Sequence, residues 1–302
     1  MKTFRRELKE VLSHGHSLPT IPAVVFLLQS ALSANDSSAD RIGEIIADDP
    51  ALSTNILRLA NSAWYPSSGG PVSTISDAIV KIGLKEIGEF CSTLSVIGTF
   101  RNIGSFRNHA MFWKHCIIVA YASKHIVRMS KVIEDEFSGE AYTAGLLHDI
   151  GTLILEQYFT DTIHKVWLDA KKNMTSVHDA EFEAFKMDHG QVGGKLLQLW
   201  KIPHRIVQAV SWHHRPDKAD PGYRHCVQVT HLADCICNYK GFVGAGNLGI
   251  TELPAAIMEE LQIDQGQIDS TINSVIQESK KSEVLISLAS GSQTAPRPAA
   301  TP

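Results

Sequence analysis

Long apolar runs are missing from this 302-residue sequence. No stretch approaches the roughly 18 consecutive apolar residues that a membrane-spanning helix needs, so no membrane role is expected. The opening stretch MKTFRRELKEVLSHG has basic residues but no apolar segment behind them, unlike a signal peptide. Its apolar positions Phe4, Leu8, Val11 and Leu12 fall at helical spacing and predict an amphipathic first helix. Cysteine is scarce, with five residues. An odd number without an export signal fits a reducing compartment, and a cytoplasmic protein is expected. Cys235-Ile236-Cys237 lacks the spacing of a zinc pair and reads as helix packing. Basic excess is absent as well. The net charge is −4 and Lys171-Lys172 is too short a run to count, so no nucleic-acid partner is expected.

Strand signals are almost absent, and helix signals recur along the whole chain. AVVFLLQSAL follows the rigid Leu18-Pro19-Thr20-Ile21-Pro22 and ends at the polar turn SANDSSAD. Asp40 reads as the N-cap of RIGEIIADD. Asp49-Pro50 stops that helix and starts ALSTNILRLANSAWY, since Pro is favoured at the first helical position after an Asp cap. Ser76-Asp77 are expected to cap AIVKIGLKEIGEFCSTLSVIGTF, two helices broken near Gly83-Leu84. PSSGGPV could suggest a phosphate cradle, but no Lys-Ser/Thr follows and it reads as a plain loop. A second group of helices starts near Phe106. It includes GEAYTAGLLHDIGTLILEQYF, SVHDAEFEAFKM, GQVGGKLLQLW, HRIVQAVSWHH and HCVQVTHLADCICNY. The tail SGSQTAPRPAATP is small, polar and Pro-rich, and is expected to be disordered. The fold class is therefore all-α.

The sharpest local feature is AGLLHDIG, in which an apolar helix carries His148 and Asp149 side by side. A carboxylate in so apolar a helix is costly to bury unless something pairs with it, and a metal ion is one such partner. His115, His189, His213, His214 and Asp234 lie on other helices. Imidazole and carboxylate together suit Fe, Mn, Zn or Ni without sulfur. Metal centres of this kind activate water against phosphate esters, and two ions can clamp both oxygens of the displacement. Plainer readings stand beside this one. His213-His214 suit a helix C-terminus, Asp188 suits an N-cap, and Asp149 suits an ion pair with a lysine or arginine. Single histidines such as His125, His164 and His225 read as hydrogen-bonded core residues.

The ordered series His115, His148-Asp149, His189, His213-His214, Asp234 resembles the HD superfamily of metal-dependent phosphohydrolases. LPTIP (18–22), IADDPALSTNILRLANSAWY (46–65), VSTISDAIVKIGLKEI (72–87), AGLLHDIGTLIL and HGQVGGKLLQLWKIPHRIVQAVSWHH resemble signatures of the HDOD family, the HD-related output domain of bacterial signalling proteins. The likeness covers roughly residues 10–245. It implies a helical bundle packed on an HD-like helical core, with an N-terminal part at 1–105, the core and its metal site at 106–245, C-terminal helices at 246–288 and the tail at 289–302. It also implies that His115, His148, Asp149, His189, His213, His214 and Asp234 are metal ligands. Asp149, the position carried over as catalytic, would bridge two ions. His148 and Asp234 would serve one ion; His189, His213 and His214 would serve the other. The implied cofactor is a divalent metal, iron or else manganese, as up to two ions.

Many HDOD domains lack ligands of this series, whereas here every position is filled. The HD-GYP enzymes have a lysine shortly after the His-Asp pair and a GYP loop; here HDIG continues with Thr152-Leu153-Ile154 and no GYP occurs. The first functional expectation is thus a signal-transduction module that binds a signalling protein or a small phosphorylated ligand. The alternative is a metal-dependent phosphodiesterase acting on a nucleotide or cyclic dinucleotide. A third reading is a diiron oxygenase of the same superfamily.

Overall fold

The computed structural model describes residues 7–8, 10–12, 18–19, 22–33, 38–66, 70–101, 109–242 and 252–290. Among them every regular element is helical and none is a strand. No described helix is long and apolar enough to cross a membrane. Phe4, the middle of LPTIP, residues 67–69 of PSSGGPV and nearly all of the tail at 289–302 lie outside the described residues. Leu8 and Leu12 of the predicted first helix are buried.

The chain divides into two compact units. One comprises Pro19–Asn102 and Lys280–Pro302; the other comprises Met1–Leu18 and Ile103–Ser279.

The first of these units holds α1 (Ala23–Ser33), α2 (Ala39–Ala47), α3 (Pro50–Ala60), α4 (Ile75–Ile82) and α5 (Leu84–Thr99). Asp49 caps α3: its carboxylate accepts from the amides of Ala51 and Leu52, with Pro50 at the first position. Two other caps differ from expectation. Ser38 rather than Asp40 caps α2, and Thr74 rather than Ser76-Asp77 caps α4. In each case a hydroxyl two or three residues upstream reaches the third amide of the helix, so the helix starts earlier than the charged residue suggests. Gly83, at φ +99°, separates α4 from α5 as the sequence predicts.

The other unit holds α6 (His109–Met129), α7 (Ser138–Leu147), α8 (Ile150–Asn173), α9 (Val177–Phe185), α10 (His189–Leu199), α11 (His204–Trp212), α12 (Arg224–Tyr239) and α13 (Ala255–Glu260). α14 (Gln265–Ala289) begins in this unit and passes the division between Ser279 and Lys280. A fully apolar cluster joins Ile118, Ile126, Ala141, Leu232, Ile236, Ile268 and Val275 from α6, α7, α12 and α14. Each such aliphatic side chain larger than alanine contributes roughly 1.5–3 kcal/mol on burial, which fixes α6, α7 and α12 as a scaffold. α7 also packs on α11, and α8 packs on α9 and α10.

GEAYTAGLLHDIGTLILEQYF reads as one helix in the sequence, but the structure breaks it. α7 ends at Leu147, α8 begins at Ile150, and Asp149 takes φ −96°, ψ 5°. His148 and Asp149 therefore sit on a corner rather than mid-helix. α8 is itself interrupted at Phe159 (φ −136°, ψ 31°), the last residue of that predicted segment. Cys235 and Cys237 are buried within α12, as packing residues. His125 and His164 are hydrogen-bonded, to Thr271 and Glu156. His225 is exposed rather than in the core, because it lies in the first turn of α12, ahead of the buried stretch from Val227.

Candidate metal centre

The corner between α7 and α8 turns two consecutive side chains inward. It can form because Gly151 follows: a Cβ there would stand 2.0 Å from the His189 carbonyl oxygen and 2.6 Å from the Gly193 nitrogen. The absence of a side chain lets α8 close onto α10 and brings Asp149 within reach of His189. A capping box between Asp188 and Gln191 fixes the start of α10, so Asp188 is the N-cap and His189 the first helical residue. His213 and His214 follow the end of α11, and α12 carries Asp234.

All seven residues singled out in the sequence meet here. Asp149 lies between two sets of imidazoles. Its Oδ1 is 3.1 Å from His189 Nε2, 3.4 Å from His148 Nε2 and 3.7 Å from His213 Nε2, while its Oδ2 is 3.7 Å from His115 Nε2. Asp234 Oδ1 is 3.2 Å from His115 Nε2 and 3.8 Å from His148 Nε2. His214 Nε2 is 2.8 Å from His189 Nε2. Ligand atoms of His115, His148 and Asp149 fall within 4.8 Å of one another, and so do those of Asp149, His189, His213 and His214. Asp149 belongs to both groups, and its partners are histidines rather than a lysine or arginine. Apart from His214, which is half-buried, these residues are almost completely buried.

The ring tautomers decide what the groups can hold. His115 Nδ1–H donates to the Phe242 carbonyl at 2.6 Å, His148 Nδ1–H to Gly145 at 2.8 Å and His213 Nδ1–H to Val210 at 2.8 Å. A carbonyl oxygen only accepts, so each Nδ1 carries a proton, and in its neutral form each ring aims a bare Nε2 inward. His115 and His148 aim theirs at each other across 3.2 Å. His213 Nε2 is buried with no hydrogen-bond partner. Outer nitrogens tied to fixed acceptors, with inner nitrogens convergent and bare, are the arrangement of metal-binding histidines. The residues present thus fit a divalent cation in each group.

The electrostatics agree. Burial opposes ionisation of Asp149, yet the imidazoles of His148 and His189 hold its carboxyl well below the usual range. Burial also opposes charge on His115, but Asp234 raises it; burial opposes charge on His189, but Glu181 and Asp149 raise it strongly. Without a cation, one imidazole in each group therefore attracts a proton. His148, His213 and His214 are pushed down, by burial first and neighbouring imidazoles next, with His213 reaching about 3. The cluster draws two positive charges to separate positions and offers neutral nitrogens around each.

Several contacts have no counterpart in the sequence reading. Glu181 of α9, fully buried, accepts from His189 Nδ1–H at 2.6 Å. Asn238 donates to Asp234 Oδ1 at 2.7 Å. The His178 ring stacks on His214, with centroids 4.2 Å apart. Asn238, one turn beyond Asp234, was legible as an i, i+4 partner. Glu181 looks like an ordinary polar position of an amphipathic helix and carried no signal.

Comparison with known proteins places this geometry in context. The family model for the HDOD domain matches residues 18–216. The solved structure of an HDOD domain protein of unknown function from Geobacter sulfurreducens is similar, with a TM-score of 0.78 at 23% identity, covering 95% of this chain and 98% of that one. A protein of Marinobacter aquaeolei VT8, provisionally described as acting in signal transduction, gives a TM-score of 0.76 at 19% identity, covering 94% of this chain and 61% of that one. At these identities the likeness speaks for the fold. An uncharacterized protein of Treponema pallidum (strain Nichols) is 22% identical over 269 residues, 88% of this chain. The chain spans 50% of the length of that curated relative.

Proposed function

The chain belongs to the HDOD family, and from that premise we propose that it is a bacterial signal-transduction module built around a binuclear metal centre. It acts by binding a signalling protein or a small phosphorylated ligand. The observation that carries this reading is the pair of buried groups sharing Asp149, each lined with inward-facing imidazole nitrogens. His115, His148, Asp234 and Asp149 would hold one ion; His189, His213, His214 and Asp149 would hold the second. Nitrogen and oxygen donors without sulfur suit iron, with manganese as the alternative. Five free cysteines agree with residence in the reducing cytoplasm. The test is metal loading followed by partner capture. Signalling that persists unchanged in Asp149→Ala, with the fold intact, would remove the metal from the account.

A second reading, a phosphohydrolase acting on a nucleotide or cyclic dinucleotide, draws on the place of Asp149 in both groups. When bound, two such ions supply Lewis-acid stabilisation to both oxygens of a phosphate displacement. This chain's own part is to fix the distance between the two groups through Asp149 and to exclude water from the His115 side. His214 is half-buried, whereas the other ligand candidates are buried. Turnover dependent on added Mn or Fe and lost in Asp149→Ala supports this reading; flat kinetics on phosphate mono- and diesters with metal bound refutes it.

A further inference from the structure

The four histidines whose outer nitrogens are bonded are not held alike. Those of His115, His148 and His213 rest on neutral backbone carbonyls. His189 alone rests on a carboxylate. Glu181 is fully buried, and Oε2 accepts from both the backbone amide of His189, at 2.9 Å, and its Nδ1–H, at 2.6 Å. The other oxygen, Oε1, accepts from Trp167 Nε1–H at 2.9 Å. Three donors from α8 and α10 therefore converge on one side chain of α9. Together they lock the carboxylate's position, the ring plane of His189 and its tautomer.

The consequence is asymmetric. A buried carboxylate behind an imidazole raises the ring's basicity and adds negative charge to that side of the cluster. The His115 group has two carboxylates of its own, Asp149 and Asp234. The His189 group has only its share of Asp149, with three imidazoles. Glu181 makes good that deficit without touching an ion. We propose that Glu181, held by Trp167, is a positioning residue that makes the His189–His213–His214 group a competent metal site. The proposal rests on the binuclear reading above and goes beyond it by making occupancy of the second site conditional on α9.

The experiment titrates metal-free full-length chain with Co²⁺, followed by the cobalt absorption spectrum and by stoichiometry. Wild type, Glu181→Gln and Trp167→Phe are compared, with the urea midpoint of each metal-free protein measured alongside. Glu181→Gln keeps the size and removes the charge, and its amide nitrogen, a donor only, also gives up the bond from Trp167 or those from His189. The expected result is two binding steps in wild type and, in Glu181→Gln, one step unchanged and the other weakened about 10–100-fold. Trp167→Phe weakens the same step by less. Two unaltered steps in Glu181→Gln overturn the proposal alone. Equal weakening of both steps with a lower urea midpoint also overturns it, by showing a purely structural role. Wild type that binds no cobalt overturns the binuclear reading and this proposal with it.

Discussion

Replacing Gly151 with alanine tests whether the approach of α8 to α10 builds the cluster. The added methyl would lie 2.0 Å from the His189 carbonyl oxygen, 2.6 Å from the Gly193 nitrogen and 2.9 Å from the His189 carbonyl carbon. All three are backbone atoms, so no rotamer change relieves the contact. Ordinary separation begins near 3.4 Å, so the two helices must part by more than an ångström. Overpacking of this kind costs about 1–3 kcal/mol, and a backbone obstacle puts Gly151→Ala at the upper end. The same movement carries His189 away from Asp149, now 3.1 Å apart, and lengthens the span of the second group. Urea unfolding of the metal-free protein should show a loss of about 3 kcal/mol, and metal content should fall at the His189 side first. Gly139→Ala is the control. That position is helical, exposed and open within 4 Å, and alanine there should be neutral or stabilising by up to ~1 kcal/mol. Wild-type stability and full metal content in Gly151→Ala would refute the reasoning.

Asp149→Asn keeps the shape of the shared ligand and removes its charge; the expected outcome is loss of both ions by elemental analysis, and retention of either contradicts a bridging role. A pH effect follows from His213, whose folded value of about 3 lies below the roughly 6.5 of an unfolded histidine. Between those values the unfolded chain takes up a proton that the folded chain refuses, so stability falls with pH by ~1.4 kcal/mol per unit from this group. His115 and His189, shifted upward, contribute stability at low pH that is lost as pH rises through their folded values, so they add no slope below about 6.5. Metal-free protein should therefore lose stability from pH 6.5 to 4.5, and His213→Gln should flatten that slope; an unaltered slope would count against it. In the other unit, Asn61 pairs with both the amide and the carbonyl of Val72 at 2.7 Å and also donates to Leu57 O. These bonds are exposed, so Asn61→Ala should cost about 0.5–1.5 kcal/mol in urea unfolding, and an unchanged midpoint would contradict it.

Helix content and the chain order of the histidines and aspartates were legible in the sequence, because periodicity and spacing are local properties. The break at Gly83 and the Asp49-Pro50 start were legible for the same reason. The corner at His148–Asp149 was not. Its residues are as apolar-flanked as those of a continuous helix, and only the close approach of α10 at Gly151 shows why the chain turns there. The caps at Ser38 and Thr74 were passed over because a nearby aspartate is the louder signal, although a hydroxyl serves as well. Glu181 was illegible for a different reason. Eight residues separate it from His189, and its role comes from α9 folding back on α10, which no spacing along the chain displays.

The central claim is that two cations occupy the paired groups around Asp149. It is tested most directly by elemental analysis of full-length protein purified without oxygen and without a metal-binding tag. The account predicts about two iron or manganese ions per chain, one for each group. A ratio near zero that persists after reconstitution would contradict it.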